Sequence, residues 1–524
     1  MTNSGGICCG SRLPFWQDDR TTRYYPPVSD TFNLTPEWVH DAVFYQIFPD
    51  RFGRSERVQK PTNLERWDSP PTIHGYKGGD LLAVAERLDY LEDLGVNALY
   101  LTPVFQSASN HRYHTHDYYR IDPMLGGDAA LRELLDRAHE RGMRVVLDGV
   151  FNHASRGFFQ FNDILENGKH SAYVDWFKVR SYPHNAYGGG ELGYEAWWGL
   201  PALPKFNTAT PAVREFLLGV GEHWLRFGAD GWRLDVPSEI DDDAFWREFR
   251  RRCRAVRPDA YFVGEIWHDA DRWLAGDMFD GVMNYPLTRA IFGLVGRHLN
   301  REELGKSGLG GIAQLDAPGF AAAVGELLRR YPASAVHGQL NLLGSHDTPR
   351  VATSLGGDEA AVRLAYLLMF SLPGAPCVYY GDEIGMAGGH DPHNRGAMPW
   401  DEQGGWDYEL RSFVRRLARL RRERPELRRG QASVTSDGAG LVLIERSSPE
   451  DGGARTVVVV NVHDDDRRLA LEGLPDGSII DPLSGKHVGR EALSANGAGE
   501  QPGAGASTDG VVVPGRGALV LSSR

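Results

Sequence analysis

Four short segments each end an apolar run with a carboxylate. They are Asp148 in Asp148-Gly-Val-Phe-Asn-His153, Asp235 in Gly231-Trp-Arg-Leu-Asp235, Glu265 in Gly264-Glu-Ile-Trp267 and Asp347 in Ser345-His-Asp347. One such carboxylate can be a cap or an ion-pair partner and says little alone. Four delivered to one mouth crowd like charges at a cost in stability that proteins accept where function requires it. Asp235 and Glu265 stand 30 residues apart, one strand-plus-helix unit, so their strands should be neighbours. Two carboxyls so placed can sit about 5 Å apart, close enough for one to attack an anomeric carbon while the other protonates the leaving oxygen and then activates water. The protonating member must stay protonated near neutrality, and a neighbouring negative charge raises its pKa in that direction. Arg233 lies two residues before Asp235, on the same side of a strand, where it can hold that carboxylate ionised and aimed.

The elements that must position these groups repeat eight times as a short apolar run, a loop and a helical stretch. The runs are 43–48, 98–101, 145–147, 231–234, 260–263, 281–283, 340–343 and 376–379. Continuous apolar runs alternating with amphipathic helices, such as 131–141 and 213–227, indicate parallel strands buried on both faces. An open doubly wound sheet is set aside because no glycine fingerprint follows the first strand, which leaves a (β/α)8 TIM barrel of the α/β class. The connection after the third strand is too long for a simple loop and reads as an inserted domain at about 154–205. Its aromatics, Tyr173, Trp176, Phe177, Tyr182, Tyr187, Tyr194, Trp197 and Trp198, suit a small core, and some of them suit stacking on sugar rings. Beyond residue 422, short alternating runs between Gly, Asp and Pro turns predict an antiparallel β-sandwich. The expected division is an arm over 1–40, the barrel with its insertion over 41–425, and the sandwich over 426–524, with a mobile Gly/Ala/Ser-rich loop at 495–509.

The chain has 57 Lys and Arg against 70 Asp and Glu, a net charge of -13. That balance argues against a nucleic-acid partner. No apolar run approaches the length of a membrane span, and residues 1–20 lack the charged and apolar regions of a secretory signal, so a cytoplasmic location is expected. Cys8, Cys9, Cys253 and Cys377 form no disulfide framework. His111, His114 and His116 invite comparison with a metal site, but no further His or Cys ligand pattern accompanies them, and a polar loop at the barrel mouth is the commoner explanation.

The four carboxylate segments, with the second extended to Glu239, resemble in order and spacing the four sequence regions of the α-amylase superfamily of glycoside hydrolases. Tyr45-Gln-Ile-Phe-Pro-Asp-Arg-Phe52, Gly95-Val-Asn-Ala-Leu-Tyr-Leu-Thr-Pro103 and Tyr380-Gly-Asp-Glu-Ile-Gly385 resemble its first, second and eighth strands. The resemblance implies Asp235 as nucleophile, Glu265 as acid/base and Asp347 as a third carboxylate holding hydroxyls of the distorted sugar. It further implies that His153, His346 and Arg233 surround that sugar, that Tyr113 stacks under it, and that Asp391 and Arg395 hold the next unit. Asp148 and Asn152 are implied to be chiefly architectural, the Asn often helping to hold calcium in the family. Leu203-Pro-Lys-Phe-Asn207, Glu239 and Trp267 are similar to the neopullulanase, cyclomaltodextrinase and maltogenic amylase group, with Trp267 an acceptor-side platform and Glu239 a water- or acceptor-handling group.

The chain departs from that group at His114, where Asp is usual, and after Arg51, where the Asn/Asp-rich calcium run is missing. No cofactor is therefore expected to be required, a structural calcium being the disfavoured alternative. The first strand begins near residue 43, too early for the group's N-terminal sandwich, so a monomer is expected. The implied activity is retaining endo-type hydrolysis of α-1,4-glucosidic bonds in maltooligosaccharides, cyclodextrins, pullulan and starch, releasing mainly maltose and glucose, or panose from pullulan, with some transglycosylation. A glucanotransferase on the same carboxylates is the main alternative. A non-catalytic binding subunit is disfavoured by the complete carboxylate set.

Overall fold

The computed structural model describes residues 35–523 apart from 183, 189, 439, 449–452, 483, 490 and 493–508. Most of the arm expected over 1–40, the Cys8-Cys9 pair and nearly all of the 495–509 loop lie outside the described residues.

Eight strands supply the frame: β1 (Phe44–Ile47), β2 (Ala98–Leu101), β3 (Arg144–Gly149), β4 (Gly231–Leu234), β5 (Tyr261–Gly264), β6 (Gly281–Val282), β7 (Leu340–Leu342) and β8 (Ala375–Tyr379). They pair in the order β6-β5-β4-β3-β2-β1-β8-β7, and a parallel bridge from Met283 to Leu340 joins the two ends into a barrel. All residues of β1, β2, β4 and β5 are buried, which is why these strands read as unbroken apolar runs rather than alternating ones. Register places the chemistry. Leu234 pairs with Gly264, so Asp235 and Glu265, each the next residue, leave adjacent strands side by side. Asp148 pairs with Arg233 across β3 and β4, so their side chains share one level.

The connection after β3 forms a compact unit around Phe158, Phe161, Phe177, Tyr194 and Phe206, all buried. It contains a nine-residue helix, Phe159–Asn167, that the sequence pattern does not reveal, because only Phe161 and Ile164 of its apolar face are fully buried. The aromatics anticipated as a core divide: Phe177 and Tyr194 are buried, whereas Tyr182, Tyr187 and Trp198 are exposed. Among the described residues, two antiparallel sheets follow the barrel, of six and three strands. They share an apolar core that includes Leu441, Val457, Val459 and Leu519 from the larger and Leu469, Val511 and Val513 from the smaller.

The barrel closes tightly at β6. A Cβ on Gly281 would lie 1.9 Å from the Gly338 carbonyl oxygen, part of the backbone leading into β7. Gly281→Ala must therefore push strands apart rather than rotate a side chain, and we expect it to cost about 3 kcal/mol, the upper end of the usual overpacking range. Calorimetry should show a fall of several degrees in Tm; an unchanged Tm would contradict this account of the seam.

Candidate active site

One guanidinium organises the strand ends. Arg233, fully buried, donates from Nη1 to Asp148 at 2.9 and 3.0 Å and to Asp235 Oδ1 at 3.0 Å, and its Nη2 lies 2.8 Å from Glu265 Oε2. A planar group with five donors can face several carboxylates at once, which an ammonium on a flexible stem cannot do with the same fixed angles. Asp148 also accepts from the Tyr100 hydroxyl at 2.8 Å and the Tyr113 hydroxyl at 3.0 Å. Glu265 accepts from the Trp267 indole N–H at 3.0 Å and from the Val236 backbone N–H at 3.0 Å. That last donor is aimed by an unusual backbone. Val236 sits at φ 35°, ψ 50°, a left-handed conformation that a β-branched residue adopts only under constraint.

The β7 loop supplies the third carboxylate. The Gln46 amide nitrogen lies 2.7 Å from His346 Nδ1. An amide nitrogen only donates, so Nδ1 accepts and the imidazole proton sits on Nε2, which is 3.1 Å from Asp347 Oδ2. The Tyr113 ring runs parallel to His346 and offset beside it, with centroids 5.4 Å apart and 6° between planes, and its hydroxyl bonds the same Nε2. Asn394 pins this loop by donating to the carbonyls of His346 and Thr348 at 2.7 and 2.9 Å. Arg395 donates to the His346 carbonyl at 2.9 Å and pairs with Asp391 at 3.0 Å and Asp347 at 3.6 Å.

Two aromatic stacks flank the centre. His153 lies on Trp197 at 5.3 Å, and Trp197 lies on the exposed Trp198 at 4.5 Å. On the other side Trp267 lies flat on Tyr285, with centroids 3.6 Å apart. Glu239 stands apart from the Arg233 cluster and pairs with Lys205, 2.9 Å from its Nζ. The structure thus gathers Asp235, Glu265, Arg233 and Trp267 in one linked group and Asp347, His346, Tyr113, Arg395 and Asp391 in a second, joined through Tyr113 and Asp148. His153 and Glu239 lie on the loops beside them. Sequence reasoning missed Gln46, Tyr100, Val236 and Tyr285. A polar Gln inside a fully buried strand was a usable signal; the backbone of Val236 left none.

Burial sets the protonation states. It raises the pKa of Asp235 well above the carboxylate range and also raises those of Glu265 and Asp347, Arg233 opposing the rise in each case. Asp148 is pushed up to about 6 for the same reason. These carboxyls crowd around one guanidinium, so the group holds a proton above the ordinary carboxylate range and titrates collectively. Burial lowers His346 well below its usual value and His153 to about 3, so both are neutral at the mouth. Asn152 Oδ1 is buried without a partner, yet among the described residues no three His, Cys, Asp or Glu side chains converge as metal ligands. His111 and His114 meet edge to face at 4.9 Å, as packing rather than ligation.

Comparison with known proteins matches residues 46–409 to the α-amylase catalytic domain. A cyclomaltodextrinase of a Bacillus species is 45% identical, the match covering 85% of this chain and 77% of that protein. A crystal structure of a protein from Thermus thermophilus is 48% identical with a TM-score of 0.83, covering 92% of this chain and 99% of that one. The cyclic α-maltosyl-(1→6)-maltose hydrolase of Arthrobacter globiformis, solved with that sugar, is 38% identical with a TM-score of 0.81, covering 94% of this chain and 100% of that one. A barrel with three clustered carboxylates at its strand ends, matched along most of its length by such enzymes, places this chain in the α-amylase family of glycoside hydrolases.

Proposed function

We propose that the enzyme hydrolyses α-1,4-glucosidic bonds with retention, acting on maltooligosaccharides, cyclodextrins, pullulan and starch. Maltose and glucose accumulate, with panose from pullulan, and some glycosyl groups pass to sugar acceptors. The observation that carries this reading is the placement of Asp235 and Glu265 on neighbouring strands, both in contact with Arg233. Arg233 contacts both carboxylates, so when Glu265 takes the shared proton Asp235 is left ionised against the guanidinium and attacks the anomeric carbon. The proton retained by the carboxyl group resides on Glu265 once a glycosidic oxygen lies against it, and it passes to that oxygen as the bond breaks. Glu265 then takes a proton from water, which releases the sugar from Asp235. Asp347, with His346 and Arg395, holds the ring hydroxyls. The named specificities of the Bacillus and Arthrobacter relatives support an α-glucan oligosaccharide substrate. The Trp267–Tyr285 platform supports some transfer to sugars, since a stacked indole holds a pyranose that water does not need.

Calcium is not needed in this reading. In the loop after β1, Lys60 Nζ donates to the Met124 carbonyl at 2.6 Å and lies 3.0 Å from Asp80 Oδ2. Lys77 Nζ, buried, donates to the carbonyls of Arg66 and Ser69 at 2.5 and 2.7 Å. Ammonium groups thus meet these loop oxygens, which supports a loop held together without a bound cation.

The nucleophile is tested by Asp235→Asn, which should keep its fold and lose at least about 10⁴-fold in kcat, while the wild type releases α-anomers first. Proton NMR showing a β-anomer as the initial product would sink the assignment. For pH dependence, a raised pKa on the acid means activity is lost as pH rises through it. The alkaline limb of kcat/KM should therefore lie above the ordinary carboxylate range, and should vanish with α-maltosyl fluoride, whose leaving group needs no proton. An unchanged limb with the fluoride would show that another group controls it. For the metal, exhaustive treatment with EDTA should leave Tm and rate unaltered, whereas Lys60→Met should lower Tm. A chelator-induced fall in the wild type would overturn the metal-free reading.

A further inference from the structure

The long connection after β3 returns to the barrel through residues 203–207, and the Lys205 side chain in that segment is unassigned by the chemistry above. Its backbone is fixed twice: Lys205 N donates to the Glu195 carbonyl at 2.9 Å, and Lys205 bridges antiparallel to His153. Its Nζ lies 2.9 Å from Glu239 Oε2 and 3.3 Å from the Glu239 backbone carbonyl. The Lys205 side chain is 15% exposed and that of Glu239 40%, so the ammonium is the better anchored of the two. Glu239 ends the short turn Pro237–Glu239, whose preceding residue, Val236, donates to Glu265. Beside this pair opens a polar groove of about 430 Å³, lined by Arg180, Glu191, Glu195, Gly199, Lys205 and Glu239 among others. The groove borders the turn that follows Asp235, and its lining offers charged donors and acceptors suited to the hydroxyls of a neutral saccharide.

We propose that Lys205 is a positioning residue that determines acceptor choice: it holds the Glu239 carboxylate at the edge of this groove so that a saccharide acceptor, rather than water, is oriented for transfer. The inference rests on the reading that a glycosyl ester forms on Asp235. In the transfer step an acceptor hydroxyl gives its proton to Glu265, its oxygen forms the new bond to the anomeric carbon, and Asp235 leaves as a carboxylate. A carboxylate with a fixed direction can accept a hydrogen bond from a second hydroxyl of the same sugar and so set which oxygen faces the ester. Freed of Lys205, an exposed Glu239 side chain rotates into solvent and loses that direction. Water, having no second hydroxyl, is indifferent to it.

The test measures the ratio of transfer to hydrolysis products with maltotriose as donor and high maltose as acceptor. Lys205→Met should lower the ratio roughly fivefold to tenfold, the scale of one hydrogen bond to a charged group. Lys205→Arg should restore most of it, and Lys205→Met combined with Glu239→Gln should lower it no further than Glu239→Gln alone. A purely structural role would depress both products together and leave the ratio unmoved, which would overturn the proposal, as would multiplicative effects in the double variant. If the wild type itself gives α-anomers but no transfer product, the acceptor role fails while the retaining reading stands. β-Anomeric products would instead remove the glycosyl ester on which both depend.

Discussion

Arg233 is the charge on which the site depends. It stands fully buried among Asp148, Asp235 and Glu265, in ion-pair contact with each. Removing carboxylates from water is costly, and only a well-placed opposite charge with hydrogen bonds to the remaining lone pairs makes it tolerable. The two tyrosine hydroxyls on Asp148 and the Trp267 and Val236 donors on Glu265 complete that set. Loss of the guanidinium would leave uncompensated buried charge, and its replacement by Lys would keep the charge but not the fan of directions. A surplus of carboxyls over cations also holds a proton among them above the ordinary carboxylate range, so the same arrangement costs stability while it stores a proton at the strand ends.

The remaining walls are loops held by side chains rather than by ladder hydrogen bonds. Asn394 fastens the β7 loop, Gln46 fixes the proton on His346, and the His153–Trp197–Trp198 stack leans the inserted unit against the mouth. The loop after β1 joins these walls. Asn110, from the segment that carries Tyr113, donates to the carbonyls of Ile73 and Gly75, while Trp67 donates to the Met398 carbonyl just beyond the Asp391–Arg395 segment. The internal ammonium groups of Lys60 and Lys77 therefore fix the loop that braces the segments carrying Tyr113 and Asp391–Arg395.

What could be read from the residues alone followed from periodicity and order. Eight apolar runs in a chain of this length have few alternatives to a barrel, and the strand-end carboxylates can be located once the runs are. The one-unit spacing of Asp235 and Glu265 translates directly into the Leu234–Gly264 register. What could not be read depends on interactions without a local pattern. Tyr285 becomes the underside of the Trp267 platform only because the segments after β5 and β6 meet in space. Val236 is an ordinary valine in sequence, and its left-handed backbone is imposed by the turn between Asp235 and Glu239. The Phe159–Asn167 helix escaped because its apolar face is shared with aromatics from distant parts of the insertion.

Catalytic preparation and folding stability pull apart with pH. Asp148 carries a folded-state pKa of about 6 against an ordinary value of 3.8. A carboxyl raised on folding binds its proton more tightly in the native state, so its stabilising contribution is complete below the unfolded value and is lost as pH rises through the folded one. That loss is shared among the carboxyls that titrate with it around Arg233. The raised values of Asp235, Glu265 and Asp347 act in the same direction. The barrel can bear this because its closure is supplied elsewhere, by eight buried strands and an apolar core that do not titrate over that range. Val236 adds backbone strain of order 1–3 kcal/mol at the same point. Unfavourable charge and strained backbone thus lie within a few residues of Asp235, at the strand ends where the carboxyls converge, while the surrounding frame remains apolar and regular.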